Sequence, residues 1–346
     1  MQTRDSRKGS RTKYWILGTV GGLLLTVCIV LIPLLTVTTA RSATIRIPRG
    51  ANGRVLTDTL TKYFGEDYAR TVMRVMTDDS EKLALRFGAY DIPEGTSALK
   101  ASHILSRGPE SSFNLVINGV RDLDSFLPRI AARFYFPADS LRKALDDPKI
   151  LSTYELSNPR QTPAIFLNDT YTFYWSASPE KVISKIADNY VSFWTPERRA
   201  RAAELGLKPV EVAVIASIVD EETNLQSEKG RVGRLYINRL RKGMKLQADP
   251  TVRFAAGDFT IKRVTGKHLG IDSPYNTYKV KGLPPGPIRT TSKATMQAIL
   301  DSQESDDLYM CAKEDFSGGH NFASTYEQHL ANAGRYQAAL DSLGIK

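Results

Sequence analysis

Between Tyr14 and Ala40 the chain carries no charged side chain, and the run from Trp15 to Leu35 is long enough to cross roughly 30 Å of hydrocarbon as one helix. A cleaved signal peptide would need an apolar core of only about 7 to 15 residues and a clean small-residue cleavage site, for which Thr38, Ala40 and Ala43 are a poor match. The run therefore reads as a transmembrane helix over residues 14–40. Arg4, Arg7, Lys8, Arg11 and Lys13 precede it and Arg41, Arg46 and Arg49 follow. That modest bias places the 1–13 tail in the cytoplasm and residues 41–346 on the other side of the membrane.

The 346 residues are 42% hydrophobic, more chain than one ordinary domain needs. A charged content of 24% and an aromatic content of 9% set aside disordered and low-complexity classes. The larger share of the net charge of +10 falls after Ala40, which leaves a mildly basic exported part. Such a surface suits an anionic polymer or simply keeps the protein soluble, and it lacks the sharp basic patch of a nucleic-acid binder. Cys28 lies in the apolar run and Cys311 stands alone beyond it, so no intramolecular disulfide is expected there. His103, His268, His320 and His329 have no metal-ligand spacing, and neither metal nor cofactor is expected.

Thr44–Pro48 reads as a strand and Val55–Phe64 as a helix. Leu83–Phe87 reads as a second strand, Gly88-Ala89-Tyr90 as a turn, and Thr96 as the cap of a helix through Ile104 to Gly108. Residues 41–108 thus form a small α+β module. Phe113–Ile117 is strand-like, and Asp122 to Phe134 is helical with Leu123, Phe126, Leu127 and Ile130 on one face. Residues 109–194 are read as a connecting α+β region. Thr195-Pro196-Glu197 is a capped helix start and opens a domain over 195–346, in which helices alternate with loops. The fold class is α+β, with the larger domain of mixed α/β type.

The helix from Pro209 to about Thr223 carries Ile215, Ile218 and Val219, and helical spacing puts Glu222 on that stripe while Asp220 and Glu221 point elsewhere. A carboxyl continuing an apolar stripe at the negative end of a helix has a raised pKa and the makings of a proton donor. Read without further context, the triplet is equally a solvated acidic helix end.

Ala216-Ser217-Ile218-Val219-Asp220-Glu221-Glu222-Thr223 resembles the A-S-I-[IV]-E-x-E-T signature of the endolytic murein transglycosylases, the MltG or YceG-like family. The likeness continues in order through Tyr236-Ile237-Asn238-Arg239-Leu240, Gly243-Met244, Leu246-Gln247, Asp249-Pro250-Thr251, Tyr275-Asn276-Thr277-Tyr278, Gly282 to Ile288, and Gly318-Gly319-His320 with Phe322. It is strong over 166–336 and weaker upstream, where residues 88–90 and the following helix are similar to the family's LysM-like module. Two positions depart from the pattern: Asp220 replaces the usual Glu, and Asn168 stands where many members have proline.

The resemblance implies a bacterial inner-membrane enzyme whose domain outside the cytoplasm cleaves the β-1,4 bond after N-acetylmuramic acid, leaving 1,6-anhydro ends. Glu222 would be the catalytic acid and base. Gln247, Asp249, Tyr275, Asn276, Tyr278 and His320 are the candidate substrate-binding residues, with Asp220, Asn238 and Phe322 in support. From residue type alone, Tyr275-Asn276-Thr277-Tyr278 is also a core-packed turn, Asp249 before Pro250 a plain turn residue, and His320 a structural histidine. Peptidoglycan strands and, by resemblance, synthases of the elongation machinery are the implied partners. The competing readings are a non-catalytic peptidoglycan-binding scaffold and a hydrolase using Asp249 as second carboxylate.

Overall fold

The computed structural model of the protein describes residues 15, 19, 20, 22, 28, 29, 32–77, 79 and 83–344. The expected transmembrane helix falls largely outside the described residues, among which no helix is long and apolar enough to cross a membrane. Its expected end at Ala40 needs correction. Thr38 bridges Ser97, and Thr39 bonds through its backbone to Gly95 and Thr96 and through its hydroxyl to Pro93. Residues 37–39 therefore already belong to the folded chain that follows.

The chain forms two compact units, one reaching to Phe113 and returning for Tyr174–Ser176, the other comprising Asn114–Phe173 and everything from Ala177. In the first, β1 (Ala43–Ile47) and β2 (Gly88–Ile92) enclose α1 (Gly53–Phe64) and α2 (Glu66–Met76) in sequence, and α3 (Ala98–Arg107) follows. The strands pair antiparallel, Ala43 opposite Ile92 and Ile47 opposite Gly88. Alternation along β1 sends Ile45 and Ile47 inward, where they meet Leu56, Leu60, Tyr68 and Val72. Asn52 and Ser97 cap α1 and α3 by accepting from the amides of Val55 and Lys100.

Two local expectations are corrected here. The second strand is Gly88–Ile92 and not Leu83–Phe87, because β1 supplies a backbone partner only to the later segment, whose Ala89, Tyr90 and Ile92 are buried. Leu83 and Leu85 still pack on the core, which explains their apolar pattern. The α3 cap is Ser97; Thr96 instead spends its backbone on Thr39.

The second unit contains β3 (Ser112–Ile117, which begins in the first unit), α4 (Leu123–Ala131), α5 (Ser140–Leu145), α6 (Pro148–Thr153), a 3-10 turn (Pro159–Ile165) and β4 (Asp169–Tyr174). It continues with α7 (Pro179–Phe193), α8 (Pro196–Glu204), α9 (Pro209–Glu222), α10 (Lys229–Arg241), α11 (Asp249–Ala256), α12 (Gly266–Leu269) and α13 (Lys293–Leu300). A hairpin of β5 (Tyr309–Ala312) and β6 (His320–Ala323) and the helix α14 (Tyr326–Ser342) close it. β3 pairs with β4. The hairpin was not anticipated from periodicity, since each strand is only four residues long. Of the residues read as a connecting region, 114–173 and 177–194 are part of this unit: α7 and the 3-10 turn pack in it, and Asn168 joins it to residues 290 and 291.

α9 is the axis of the unit. Pro209 occupies its first turn and Glu211 accepts the Lys208 amide at 2.7 Å, fixing the start. Every residue from Val212 to Val219 is buried, because α8, α10, α11, α13 and the 3-10 turn all contact this helix. The expected apolar stripe is thus a helix covered on all sides.

Buried Ser217 donates to Val214 O at 2.7 Å and accepts the Ile288 amide at 3.0 Å, tying the Gly282–Ile288 loop to α9. Within that loop Gly286 lies against the 3-10 turn so closely that a Cβ would sit 1.9 Å from the Arg160 carbonyl oxygen. Asn168, one of the two departures from the resembled pattern, has a positive role. Its backbone N–H donates to Thr291 O at 2.8 Å, which proline could not do, and its side-chain oxygen accepts from Gly119 and Thr290. Gly286→Ala must push two backbones apart and is expected to cost about 3 kcal/mol or more; a denaturant midpoint equal to wild type would show that the loop adapts freely.

Candidate active site

Three consecutive acids end α9, and their surroundings separate them. Asp220 accepts from Lys229 Nζ, Thr291 Oγ1 and Thr295 Oγ1, each at 2.6 Å. Glu221 accepts the fork of Arg121 at 2.8 Å through both oxygens, and Arg289 at 2.7 Å. Both are largely buried and fully compensated. Glu222 has no cationic partner within ion-pair distance among the described residues. It receives one hydrogen bond, from the Tyr236 hydroxyl at 2.7 Å.

By area Glu222 keeps an accessible edge. Protein atoms nonetheless crowd it, and burial is the dominant influence that raises its carboxyl from 4.5 to about 7. The Tyr236 hydroxyl opposes that rise, the Asp249 charge adds to it, and His320 and Arg253 oppose it. The free carbonyls at the end of α9 act in the same sense as burial. Tyr236 is itself buried, and its phenol is held well above the ordinary range by burial and then by the adjacent Glu222.

A second tyrosine–carboxylate pair faces the first. Tyr278 donates to Asp249 Oδ1 at 2.6 Å, and its phenol is pushed up by burial, by that bond and by the charges of Asp249 and Glu222. Asp249 is placed by a bonded knot of two loops: Thr251 and Thr277 share a hydrogen bond at 2.8 Å, Thr277 Oγ1 accepts the Ala248 amide, and Thr277 O accepts that of Gln247. Buried Arg239 fastens the same segment through Leu246 O at 2.7 Å and Leu308 O at 2.6 Å. Gln247 is exposed in a left-handed conformation, φ 51°, at the entry to this knot, strain of the kind that local bonding must over-determine.

His320 opens β6 after Gly318, whose φ of +79° makes the turn. Glu228 accepts both its amide, at 2.9 Å, and its Nδ1, at 3.0 Å, which leaves Nε2 as the free ring nitrogen. Phe322 sits edge-on to His320 at 6.4 Å and carries the Arg231 guanidinium at 4.2 Å.

Of the residues singled out from sequence, Glu222, Asp249, Tyr278 and His320 share one electrostatic environment. Asn276 does not present itself to a ligand: it is fully buried and gives its amide hydrogens to Leu269 O and Ile271 O while accepting the Tyr278 amide. Its role is to hold the turn that presents Tyr278. Asn238 likewise donates to Ser305 O and Asp307 O. Asp220 sits in the polar cluster under α13, and Tyr275 packs at a tilt against Phe254, ring centroids 4.6 Å apart, lining a separate cavity. Tyr236, Glu228 and Arg253 are the functional candidates that sequence reasoning passed over. Only Tyr236 carried a signal, a hydroxyl inside an otherwise apolar helix face. Among the described residues no three His, Cys, Asp or Glu side chains are grouped to hold a metal.

The family model described as YceG-like matches residues 45–335. A Bacillus subtilis protein named endolytic murein transglycosylase is 36% identical over 149 residues, 43% of this chain and 39% of that protein. A Streptococcus pneumoniae D39 protein of the same name is 29% identical over 130 residues, 36% of this chain and 23% of that protein. The chain thus matches less than half the length of these curated relatives. A crystal structure of a yceG-like protein from Listeria monocytogenes superposes with a TM-score of 0.53 at 25% identity, over 84% of this chain and 98% of that one.

Because the folded-state value of about 7 exceeds the ordinary 4.5, the folded protein keeps a proton that the unfolded chain releases between those values. Glu222 then weighs against folding by up to about 3 kcal/mol above pH 7 and not at all below about pH 4. Glu222→Gln, whose amide oxygen still accepts from Tyr236, is expected to leave the melting temperature unchanged at pH 4 and raise it at pH 8. An equal melting temperature at pH 8 would mean a solvated carboxyl. Tyr236→Phe removes a donor that favours the carboxylate, so Glu222 should titrate at still higher pH when followed by carboxyl 13C NMR; a downward shift would refute this assignment.

Proposed function

The chain belongs to the YceG-like family, whose model spans most of it, and on that footing we propose that it is an endolytic lytic transglycosylase of peptidoglycan with Glu222 as general acid and then base. The observation that carries the reading is the isolation of Glu222: of three adjacent acids it alone lacks a cation, and burial brings it to about 7, where a carboxyl can hold and return a proton. Glu222 protonates the glycosidic oxygen as the bond from the anomeric carbon of N-acetylmuramic acid to that oxygen breaks. The resulting carboxylate accepts the proton of the sugar's C6 hydroxyl while that oxygen bonds to the anomeric carbon. The acid is regenerated, and the product is a 1,6-anhydro end with no water consumed. Tyr236 holds one carboxyl oxygen so that the other faces the substrate, and Asp249 and His320 flank it as sugar-binding groups.

Asp249 supports a second reading. It is close enough to raise Glu222 and is oriented by Tyr278, so it could activate water as the second carboxylate of a hydrolase.

The remaining features follow as parts of the same proposal. A single-pass helix ahead of Val37, with the N-terminus cytoplasmic, would hold the enzyme at the bacterial inner membrane. The first unit would act as a LysM-like glycan-binding module, and synthases of the elongation machinery are the partners that the family resemblance implies.

Incubating the full-length chain and its Glu222→Gln variant with uncrosslinked glycan strands, followed by mass analysis, tests the assignment. Anhydro ends from wild type, lost by about 10²-fold or more in the variant, are expected. Reducing ends would indicate the hydrolase, and intact strands in both samples a non-catalytic scaffold.

A further inference from the structure

A cavity of about 530 Å³ lies beside the Glu222 site in the second unit, lined by Phe254, Phe259, Tyr275, Arg121, Arg142 and Arg160 among others. Its link to the reacting centre is covalent and short. Asp249 and Phe254 stand on one helix, α11, and five residues of helix advance about 8 Å. A second link runs through charge, since Arg121 grips Glu221, the neighbour of Glu222, and lies 5.3 Å over the Phe259 ring.

The walls combine flat apolar faces with guanidinium groups, all but one of which pair with acids of the fold. Arg121 is committed to Glu221. Arg142 is committed to Asp124 and Asp146. Asp122 caps α4 by accepting the Ser125 amide. Arg160 is exposed, and among the described residues its guanidinium has no acidic partner. Its backbone is fixed, with its amide bonded to Asn158 and its carbonyl against Gly286, so the base of the side chain does not wander. It also stands close to Tyr275: burial raises that phenol and the Arg160 charge opposes the rise. An uncompensated guanidinium beside aromatic faces, rooted on a rigid turn, is suited to a carboxylate on a partly apolar ligand.

We propose that this cavity is a subsite for the carboxylate-bearing peptide carried by murein sugars, with Arg160 as the anion-recognising residue and Tyr275, Phe254 and Phe259 as the surface on which the peptide lies. The inference rests on the glycan-cleaving reading above. It assigns Tyr275 to the peptide substituent and leaves the sugar backbone to the groups around Glu222.

The test is a binding measurement on the full-length Glu222→Gln protein, in which turnover cannot consume the ligand. Calorimetric titration would compare uncrosslinked oligosaccharides that carry their peptides, the same oligosaccharides with peptides removed by an amidase, and a peptide-bearing set whose free carboxyls are amidated. Peptide-bearing strands should bind about fivefold to tenfold more tightly than the other two, as one charge-assisted contact at a partly open site supplies. Adding Arg160→Ala should erase the preference, and Arg160→Lys should restore part of it; an unchanged melting temperature confirms that both variants fold. Equal binding of all three ligands, or a preference that survives Arg160→Ala, would overturn the subsite. Failure of every oligosaccharide to bind would instead count against the murein reading itself.

Discussion

The bond from Tyr236 to Glu222 joins two helices at the point where one of them ends, and the organisation of the second unit serves to keep that contact largely covered and single. A carboxyl at a helix C-terminus faces unpaired carbonyls, is unfavourable when ionised, and ordinarily escapes to water or recruits a cation. Here no cation among the described residues pairs with it, and protein atoms leave the carboxyl only an accessible edge. The cations that could have neutralised it are engaged one and two residues earlier, Lys229 on Asp220, Arg121 and Arg289 on Glu221. The pairing of the first two acids permits α9 to run acidic to its end while leaving the third acid poised to take up a proton.

The loops follow from the same constraint. A buried helix has no free surface on which to build a cleft, so the cleft must be made by segments tied to its flanks, and each sequence motif corresponds to one such tie. Ser217 receives the loop ending at Ile288. Thr251, Thr277 and the Ala248 amide lock the segment carrying Asp249 to the turn carrying Tyr278, and Glu228 draws in the hairpin that bears His320. Most of these bonds use backbone groups, which would carry a penalty if left unpaired in the interior. Motif residues such as Asn276, Asn238 and Arg239 thus have architectural work that looks, in a linear sequence, like ligand binding.

This difference marks where the sequence was legible. Helix starts with local chemistry were readable, as at Thr195-Pro196 and Pro209, because a cap and a proline at the first turn are decided within four residues. Strand identity was less so: Leu83–Phe87 and Gly88–Ile92 both carry mainly apolar residues, and only the location of β1 selects between them. The two short strands that carry and face His320 had too few residues for a period to emerge. For Glu222 the helical stripe is a weak signal, because the helix that carries it is enclosed on all sides; the likeness of residues 216–223 to the family signature is what singles the residue out.

What distinguishes Glu222 from its neighbours is that, among the described residues, no cation pairs with it, and a missing partner has no local signature in a sequence. Asp220, Glu221 and Glu222 have similar side chains, all three are largely covered, and helical spacing alone separates them only by direction. Their partners come from α10, from the segment before α4 and from the loop before α13, up to 100 residues away in the chain. Tertiary folding therefore decides which carboxyl keeps its proton, by distributing arginine and lysine unequally over equivalent acids. The same unequal distribution recurs in the neighbouring cavity, where Arg121 and Arg142 are paired with acids of the fold and Arg160 is not. In both places the chemistry available to a ligand is set by charge that the fold leaves without an ion-pair partner among the described residues: the Glu222 carboxyl, held by a tyrosine hydroxyl, and the Arg160 guanidinium of the cavity.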